Sequence, residues 1–143
     1  MKSIPFLLLF SATVSHAALD MKPGLWEMSL KLMDERGKEV DAAQIAEKGA
    51  TNKICYTKEM IENPQSLSGK DECETKISKM SKTELFSTYK CEDGIEGDME
   101  FKLKDSQTFT MTTNTRYQEK KIRMRYYGKF ISSDCGKVKP LNL

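Results

Sequence analysis

Apolar and polar residues alternate along most of the chain after residue 23. In residues 24–33, for example, Trp26 and Met28 alternate with Glu27 and Ser29. A period of two is expected of a strand with one buried face. The same pattern, interrupted by short polar turns, predicts seven strands, at residues 24–33, 53–56, 73–80, 84–91, 97–104, 108–117 and 120–132. We therefore expect an all-β fold, an antiparallel meander that forms a barrel or half-barrel.

Two short helical segments are expected beside the strands. Asp41 can cap the first, with Gln44 in the position of a capping box, and Gly49 ends it. The second starts at Thr57 and stops at Asn63, just before a proline. Such helices can cover the apolar face of an open sheet, which is the alternative to a closed barrel.

The pairing of neighbouring strands follows from asking which register places the apolar residues on one face. A two-residue loop after Tyr117 places Met111 opposite Tyr126. In the preceding hairpin, Phe101 lies opposite Met111. Polar and charged residues then occupy the opposite face of both hairpins. One face of this sheet is therefore predicted to be consistently apolar.

The chain has four cysteines, an even number that predicts two disulfides in an oxidising compartment. Four cysteines allow three pairings, and the strand register selects one of them. Centring the hairpin of the third and fourth predicted strands on Lys82 places Cys73 opposite Cys91, within the distance that a disulfide requires. Cys55 then joins Cys135, which would bring the two ends of the sheet together.

The N-terminal residues have the features of a secretory signal peptide. Lys2 precedes an apolar run at residues 4–14, and small residues follow at positions 15–17. We therefore expect a signal peptide at residues 1–17 and a single β domain at residues 18–143.

The expected mature chain offers neither a membrane anchor nor a histidine. Its first residue would be Ala18 rather than the cysteine of a lipoprotein, and no later apolar run approaches the roughly 20 residues of a membrane span. The one histidine, His16, lies in the expected signal peptide. A formal net charge of +2 gives no basic excess that would indicate nucleic acid. We therefore expect a soluble, non-enzymatic protein with no catalytic residue, no cofactor and no nucleic-acid partner.

Two groups of residues raise the question of metal binding. Thioethers bind Cu(I), but Met28, Met111 and Met124 fall on the predicted apolar face, where methionine fills gaps in a core. The carboxylates between Glu92 and Asp98 have the chemistry for Ca²⁺, yet the segment lacks EF-hand spacing and is typical of an acidic hairpin turn. No metal site is predicted.

A shared apolar face is what a ligand-carrying barrel would present, and a packed core would show the same pattern. Of the two structures, we expect the packed core. For the function, ligand binding on this face is the leading hypothesis. In that hypothesis the face binds a small apolar or amphipathic ligand through its larger side chains. These are Trp26, Leu30, Tyr89, Phe101, Met111 and Tyr126.

The opposite face of the last hairpin carries a row of cations, here called the basic stripe. Arg116 lies across from Lys121 in the predicted register, and Arg123 and Arg125 follow at every second residue. Such a stripe is typical of a solvated strand face. It is also the alternative functional site, a surface that docks on an envelope protein or an anionic surface. Salt separates the two hypotheses, because ions screen exposed charges.

Several short motifs are spread along the chain. Pro-Gly-Leu-Trp-Glu at residues 23–27 is followed by Lys53 and Cys55, by two further cysteines, and by Asp134 and Cys135. This combination resembles the bacterial family catalogued as domain of unknown function 3617. The resemblance implies a small exported protein of Gram-negative bacteria with a mostly β fold, and it carries over no catalytic residue. We therefore expect a periplasmic monomer whose partner is a small apolar ligand or an envelope protein.

Overall fold

An antiparallel β-sheet and a short helix make up the described part of the protein. The computed structural model describes residues 18–40, 51–64 and 73–140. The fold is all-β, as expected, and each predicted strand is present, with one further strand, β2. In chain order the elements are β1 (Gly24–Met33), β2 (Glu39–Val40), β3 (Thr51–Tyr56), α1 (Lys58–Glu62), β4 (Cys73–Met80), β5 (Glu84–Cys91), β6 (Ile95–Asp105), β7 (Thr108–Tyr117) and β8 (Lys120–Ser132).

The sheet is a meander to which the first strand is added. Its order is β2-β1-β8-β7-β6-β5-β4, and every neighbouring pair is antiparallel. Strands β4 to β8 follow one another in both sequence and space, which short turns allow. β1 pairs with β8 along one edge, and along its other edge it pairs with β2 and β3. The last strand therefore lies inside the sheet, between β1 and β7.

The described strands do not close into a barrel, which was one of the two expected forms. Among the described strands β4 pairs only with β5, while β2 and β3 lie beside β1 at the other end. Tyr56 of β3 and Phe109 of β7 are separated by two strands, which in a flat sheet would place their backbones ~14 Å apart. Their ring centroids are 6.4 Å apart, so the two side chains extend toward each other across the apolar face. The segment before β1 and the helix α1 cover part of the apolar face instead.

The registers predicted from the apolar pattern are confirmed. Met111 lies opposite both Tyr126 and Phe101. In the hairpin of β4 and β5, Cys73 lies opposite Cys91. Sequence could specify these pairings because a slip of one residue would move every buried side chain to the other face.

Both predicted disulfides are present. Cys73–Cys91 joins β4 to β5, and Cys55–Cys135 joins β3 to the segment that follows β8. A backbone bridge between Cys55 and Pro140 lies at the same place. Two disulfides are compatible with an extracytoplasmic location.

The helix α1 begins and ends where its sequence predicts. Thr57 Oγ1 accepts a hydrogen bond from the backbone N–H of Met60 at 3.2 Å, and Asn63 is the C-terminal cap. Met60 and Ile61 are buried, so the helix presents an apolar side to the protein.

Two predictions fall outside the described residues: the signal peptide at residues 1–17 and the helix from Asp41 to Gly49. Within the described ranges, no helix has the length and apolar character that a membrane crossing requires.

Candidate ligand-binding site

One half of the apolar face is a packed cluster, here called the closed half. At its centre Trp26 has no exposed surface and Phe109 is 2% exposed. The Trp26 and Phe109 ring centroids are 5.3 Å apart, and those of Phe101 and Phe109 are 4.7 Å apart, in the range of favourable aromatic pairs. The strand residues of the closed half are Trp26, Met28, Leu85, Phe101, Leu103 and Phe109.

Two segments outside the meander cover the closed half. Leu19 and Met21, which precede β1, and Ile61 of α1 belong to the same buried cluster. The backbone N–H of Asp20 donates to the Lys82 carbonyl oxygen at 2.7 Å, in the turn between β4 and β5. The N-terminal segment therefore crosses from β1 to the far side of the meander and is fastened there.

A glycine lets the Phe109 ring lie across a neighbouring strand. Phe109 is opposite Gly128 of β8, and a Cβ at Gly128 would lie 2.1 Å from the Phe109 ring. Only a residue without a side chain leaves this space. Beside the ring, Trp26 Nε1 donates to the Lys22 carbonyl oxygen at 2.9 Å, so the polar atom of the buried indole is satisfied.

The other half of the same face is partly exposed, and we call it the open half. Ile122 is 47% exposed, and the remaining members are half-buried. None of its side chains carries a charge. The members are Leu30, Leu32, Tyr89, Met99, Met111, Thr113, Thr115, Ile122, Met124 and Tyr126. The apolar face is therefore covered at one end and accessible at the other.

Tyr89 in the open half repeats the arrangement of Phe109 over Gly128. A Cβ at Gly97 would lie 2.6 Å from the Tyr89 hydroxyl oxygen, so the ring extends across β6 where that strand has no side chain. The Tyr89 hydroxyl is hydrogen-bonded to Thr115 Oγ1 of β7, with 2.6 Å between the oxygens. This bond fixes the tyrosine across three strands.

Tyrosine hydroxyls supply polar atoms within the apolar surroundings. Burial raises the pKa of Tyr56 to about 12, and its hydroxyl donates to Met28 Sδ at 3.4 Å. The pKa of Tyr126 is also raised, first by burial and second by the neighbouring Tyr89. Its hydroxyl lies 3.6 Å from Met124 Sδ. Both phenols are therefore neutral hydrogen-bond donors at neutral pH.

The residues predicted to line a ligand pocket are divided between the two halves. Trp26 and Phe101 lie in the closed half and are buried. Four others lie together in the open half: Leu30, Tyr89, Met111 and Tyr126. Ile122 and Met124, which the prediction omitted, share the open half with them. Their alternation along β8 carried the signal, because both fall on the predicted apolar face.

The basic stripe lies on the outer face of the sheet, and its members differ in their partners. Arg116 Nη2 forms an ion pair with Glu96 Oε1 at 2.7 Å. Arg125 Nε donates to Thr112 Oγ1 at 3.4 Å. The two remaining members form no ion pair with a described residue; they are Lys121 and Arg123.

A cleft of about 840 Å³ adjoins the basic stripe. Its lining includes three stripe residues, Met33, the carboxylates of Asp34, Glu35, Glu96 and Asp98, and two members of the open half, Thr115 and Ile122. The cleft is therefore lined by charges of both signs and reaches the edge of the open half. This surface is mixed in charge, and the cations of the stripe lie among carboxylates.

The described residues bring no metal-binding group together. Both disulfides use all four cysteines, and no cluster of three or more His, Cys, Asp or Glu side chains occurs in the described ranges. In the acidic segment after β5, Asp93 Oδ1 accepts a hydrogen bond from the Ile95 N–H at 3.0 Å. Gly94 there has a φ of 85°. This segment is a hairpin turn.

The structure defines a small all-β protein with two disulfides and a divided apolar face. The chain belongs to the family described as Protein of unknown function (DUF3617), whose model matches residues 21–135. The match spans every described strand, and it confirms the resemblance indicated by residues 23–27 and the cysteines. No curated protein and no solved structure matched the sequence.

Proposed function

We propose that the protein is a non-enzymatic periplasmic protein that binds a small amphipathic molecule in the open half of a half-barrel sheet. The observation that carries this proposal is the uneven cover of the apolar face. The strands that bury Trp26 and Phe109 at one end leave Ile122 47% exposed at the other. Covering apolar surface gains about 25 cal/mol per Å², so a ligand with an apolar part would be stabilised there.

Apolar side chains on three neighbouring strands supply the contact surface. Leu30 of β1, Met124 of β8 and Met111 of β7 are half-buried and lie on the same face. Methionine is unbranched and polarisable, so this surface can adapt to ligands of different shape. Trp26 and Phe101 would not touch the ligand in this proposal. They would hold the curvature of the sheet beneath it.

The polar groups of the open half favour an amphipathic ligand with an uncharged hydrogen-bonding group. Tyr89 and Tyr126 present phenols there, and the pKa of Tyr126 is raised by burial. No cation lies on this part of the face to neutralise a carboxylate or phosphate. A neutral polar group of the ligand would reach the hydroxyls while its apolar part contacts the methionines.

The test is native mass spectrometry of protein expressed from the full sequence and purified from the periplasmic fraction. We expect an extra mass in the native spectrum that is absent from the denatured spectrum of the same sample. The double variant Ile122→Gln/Met124→Gln should lose this mass. The matched control on the same strand but the opposite face, Lys121→Gln/Arg123→Gln, should keep it. A bare monomer mass from the unmodified protein, or loss in both variants, would contradict the proposal.

The second candidate is docking on an envelope protein or anionic surface through the basic stripe. It is favoured by Lys121 and Arg123, which form no ion pair with a described residue and line the cleft that adjoins the basic stripe. If the protein docks in this way, Lys121→Gln/Arg123→Gln should no longer sediment with anionic lipid vesicles. Ile122→Gln/Met124→Gln should still sediment with them. Docking would also fade with salt, because the Debye length falls from ~10 Å at 0.1 M to ~3 Å at 1 M.

A further inference from the structure

The two ends of the sheet differ in how their backbone edges are covered. At one end, β3 is tied down by the Cys55–Cys135 disulfide and by the bridge between Cys55 and Pro140. At the other end, β4 pairs with β5, and no described strand pairs with its outer edge. Unpaired N–H and C=O groups along an edge are a template for another strand. The edge of β4 is therefore the one to consider as an interaction surface.

The disulfide in the β4–β5 hairpin shows which backbone groups of β4 face outward. The Cα atoms of Cys73 and Cys91 are 3.9 Å apart. This is nearer to the ~4.5 Å of a non-hydrogen-bonded pair than to the ~5.5 Å of a hydrogen-bonded one. The two kinds of pair alternate, so Cys73, Thr75 and Ile77 direct their N–H and C=O groups away from β5. A bulge between Ile77 and Lys79 ends this regular stretch.

The charged side chains on β4 indicate which strand could pair with its free edge, and in which register. Glu74 and Lys76 form an ion pair with each other at 3.2 Å, and their side chains are still 69% and 74% exposed on the outer face of the sheet. An antiparallel second copy centred on Thr75 would place each Glu74 opposite the Lys76 of the other copy. A register centred on Glu74 or on Lys76 would place like charges opposite each other. A register shifted by one residue would place residues of the outer face of one copy opposite residues of the apolar face of the other.

We propose that β4 is a self-association edge, at which two copies of the chain pair through residues 73–77 around a twofold axis at Thr75. The pairing adds about six backbone hydrogen bonds and two contacts between Glu74 and Lys76, and it continues the sheet from one copy into the other. Because the same patch is used by both copies, the contact closes on itself. The paired segment is short, so the dimer is in reversible equilibrium with the monomer. This equilibrium is the alternative to the monomer expected from the sequence.

A charge exchange tests the register. In sedimentation equilibrium at low salt, Glu74→Lys and Lys76→Glu should each raise the dimer dissociation constant on the order of 10-fold, because each homodimer then pairs like charges. An equimolar mixture of the two variants should recover the affinity of the unmodified protein, because opposite charges meet again in the heterodimer. A mixture that associates no more tightly than either variant alone would overturn the proposal.

A proline tests the backbone pairing without relying on charge. The Thr75 N–H faces the free edge, so Thr75→Pro removes a donor of the dimer and no hydrogen bond to β5. We expect Thr75→Pro to remain monomeric at every concentration, with unchanged far-UV circular dichroism. Thr75→Val, which keeps the N–H, should dimerise like the unmodified protein. Unmodified protein that stays monomeric up to about 1 mM, or Thr75→Pro that dimerises normally, would contradict the proposed edge.

Discussion

The closed and open halves of the apolar face use the same local device with different results. In the closed half, Phe109 lies across Gly128 and is 2% exposed, beneath the cover of Leu19 and Ile61. In the open half, Tyr89 lies across Gly97 and is half-buried. Both aromatic rings extend over a strand that lacks a side chain at that point.

The difference between the halves lies in their cover and in one hydroxyl group. The N-terminal segment and α1 contribute Leu19, Met21 and Ile61 to the buried cluster of the closed half, where a phenylalanine needs no hydrogen-bond partner. The corresponding aromatic residue of the open half is a tyrosine whose hydroxyl is bonded to Thr115. Where a sheet face is left accessible, a side chain with an apolar body and a polar tip suits it. One face of the sheet is therefore a packed core at one end and is accessible at the other.

Removing the disulfides gives the largest expected effect. Cys55–Cys135 ties down β3 beside the closed half across 80 residues, whereas Cys73–Cys91 joins neighbouring strands across 18. In the chain-entropy model, Cys55→Ala/Cys135→Ala should lower the free energy of unfolding by about 4.5 kcal/mol and Cys73→Ala/Cys91→Ala by about 3 kcal/mol. Urea unfolding followed by fluorescence of Trp26 measures both. A larger loss from the shorter loop would contradict this order.

Truncating the two aromatic rings compares the halves directly. Phe109→Ala should lower the free energy of unfolding by about 4 kcal/mol, because it leaves a cavity beneath a covered core. Tyr89→Ala should cost about half as much, since its surroundings are already accessible. Urea unfolding followed by far-UV circular dichroism avoids the change that Phe109→Ala would cause near Trp26. Equal losses would mean that the open half is packed as well.

Removing one oxygen atom sharpens the comparison within the open half. Tyr89→Phe deletes the hydrogen bond to Thr115 and should lower the free energy of unfolding by about 1 kcal/mol. The matched control is Tyr117→Phe, at a tyrosine that is 44% exposed, and it should leave stability unchanged. The same urea titrations suffice. If Tyr89→Phe were neutral, the hydroxyl would have no part in holding the ring.

Alkaline titration tests the burial of Tyr56 beside the closed half. Burial raises the pKa of Tyr56 from 10.0 to about 12. A pKa raised by folding contributes stability that is fully present below the unfolded value and is lost as the pH rises through the folded one. Stability should therefore fall between pH 10.0 and about 12, and Tyr56→Phe should reduce this fall. Phenolate absorbance should show a late step that the variant lacks. Titration of every tyrosine at its ordinary pKa would contradict the burial.

The sequence predicted strand pairing and disulfides well because the same physical constraints determine both. Alternation excludes slips of one residue and short turns exclude slips of two, so together they give the Met111–Tyr126 pairing and the Cys73–Cys91 pairing. The strand β2 was not predicted, because its two residues, Glu39 and Val40, are too few to show a period of two. The choice between a barrel and a half-barrel was left open, since alternation specifies neighbours along a sheet and says nothing of whether its ends meet.

The candidate site was predicted only in part for a similar reason. Alternation placed Trp26 and Tyr89 on one face, and both are there. It could not show that Leu19 and Met21 would cover the first and leave the second accessible, because that cover comes from a segment before β1 that crosses the sheet. Trp26 and Phe101 were therefore assigned to a ligand although they form the packed core.

Methionine methyl groups provide the most direct test of the divided face, because both halves contain them. Met28 lies in the closed half. Met124 lies in the open half, as do Met99 and Met111, which also pack against the buried cluster. We would label the methionine methyls with ¹³C, assign them by substitution, and titrate octyl glucoside, a neutral amphiphile, below its critical micelle concentration. The account predicts saturable shifts of the Met99, Met111 and Met124 signals while the Met28 signal stays in place. No shift in any of them, or an equal shift of Met28, would contradict it.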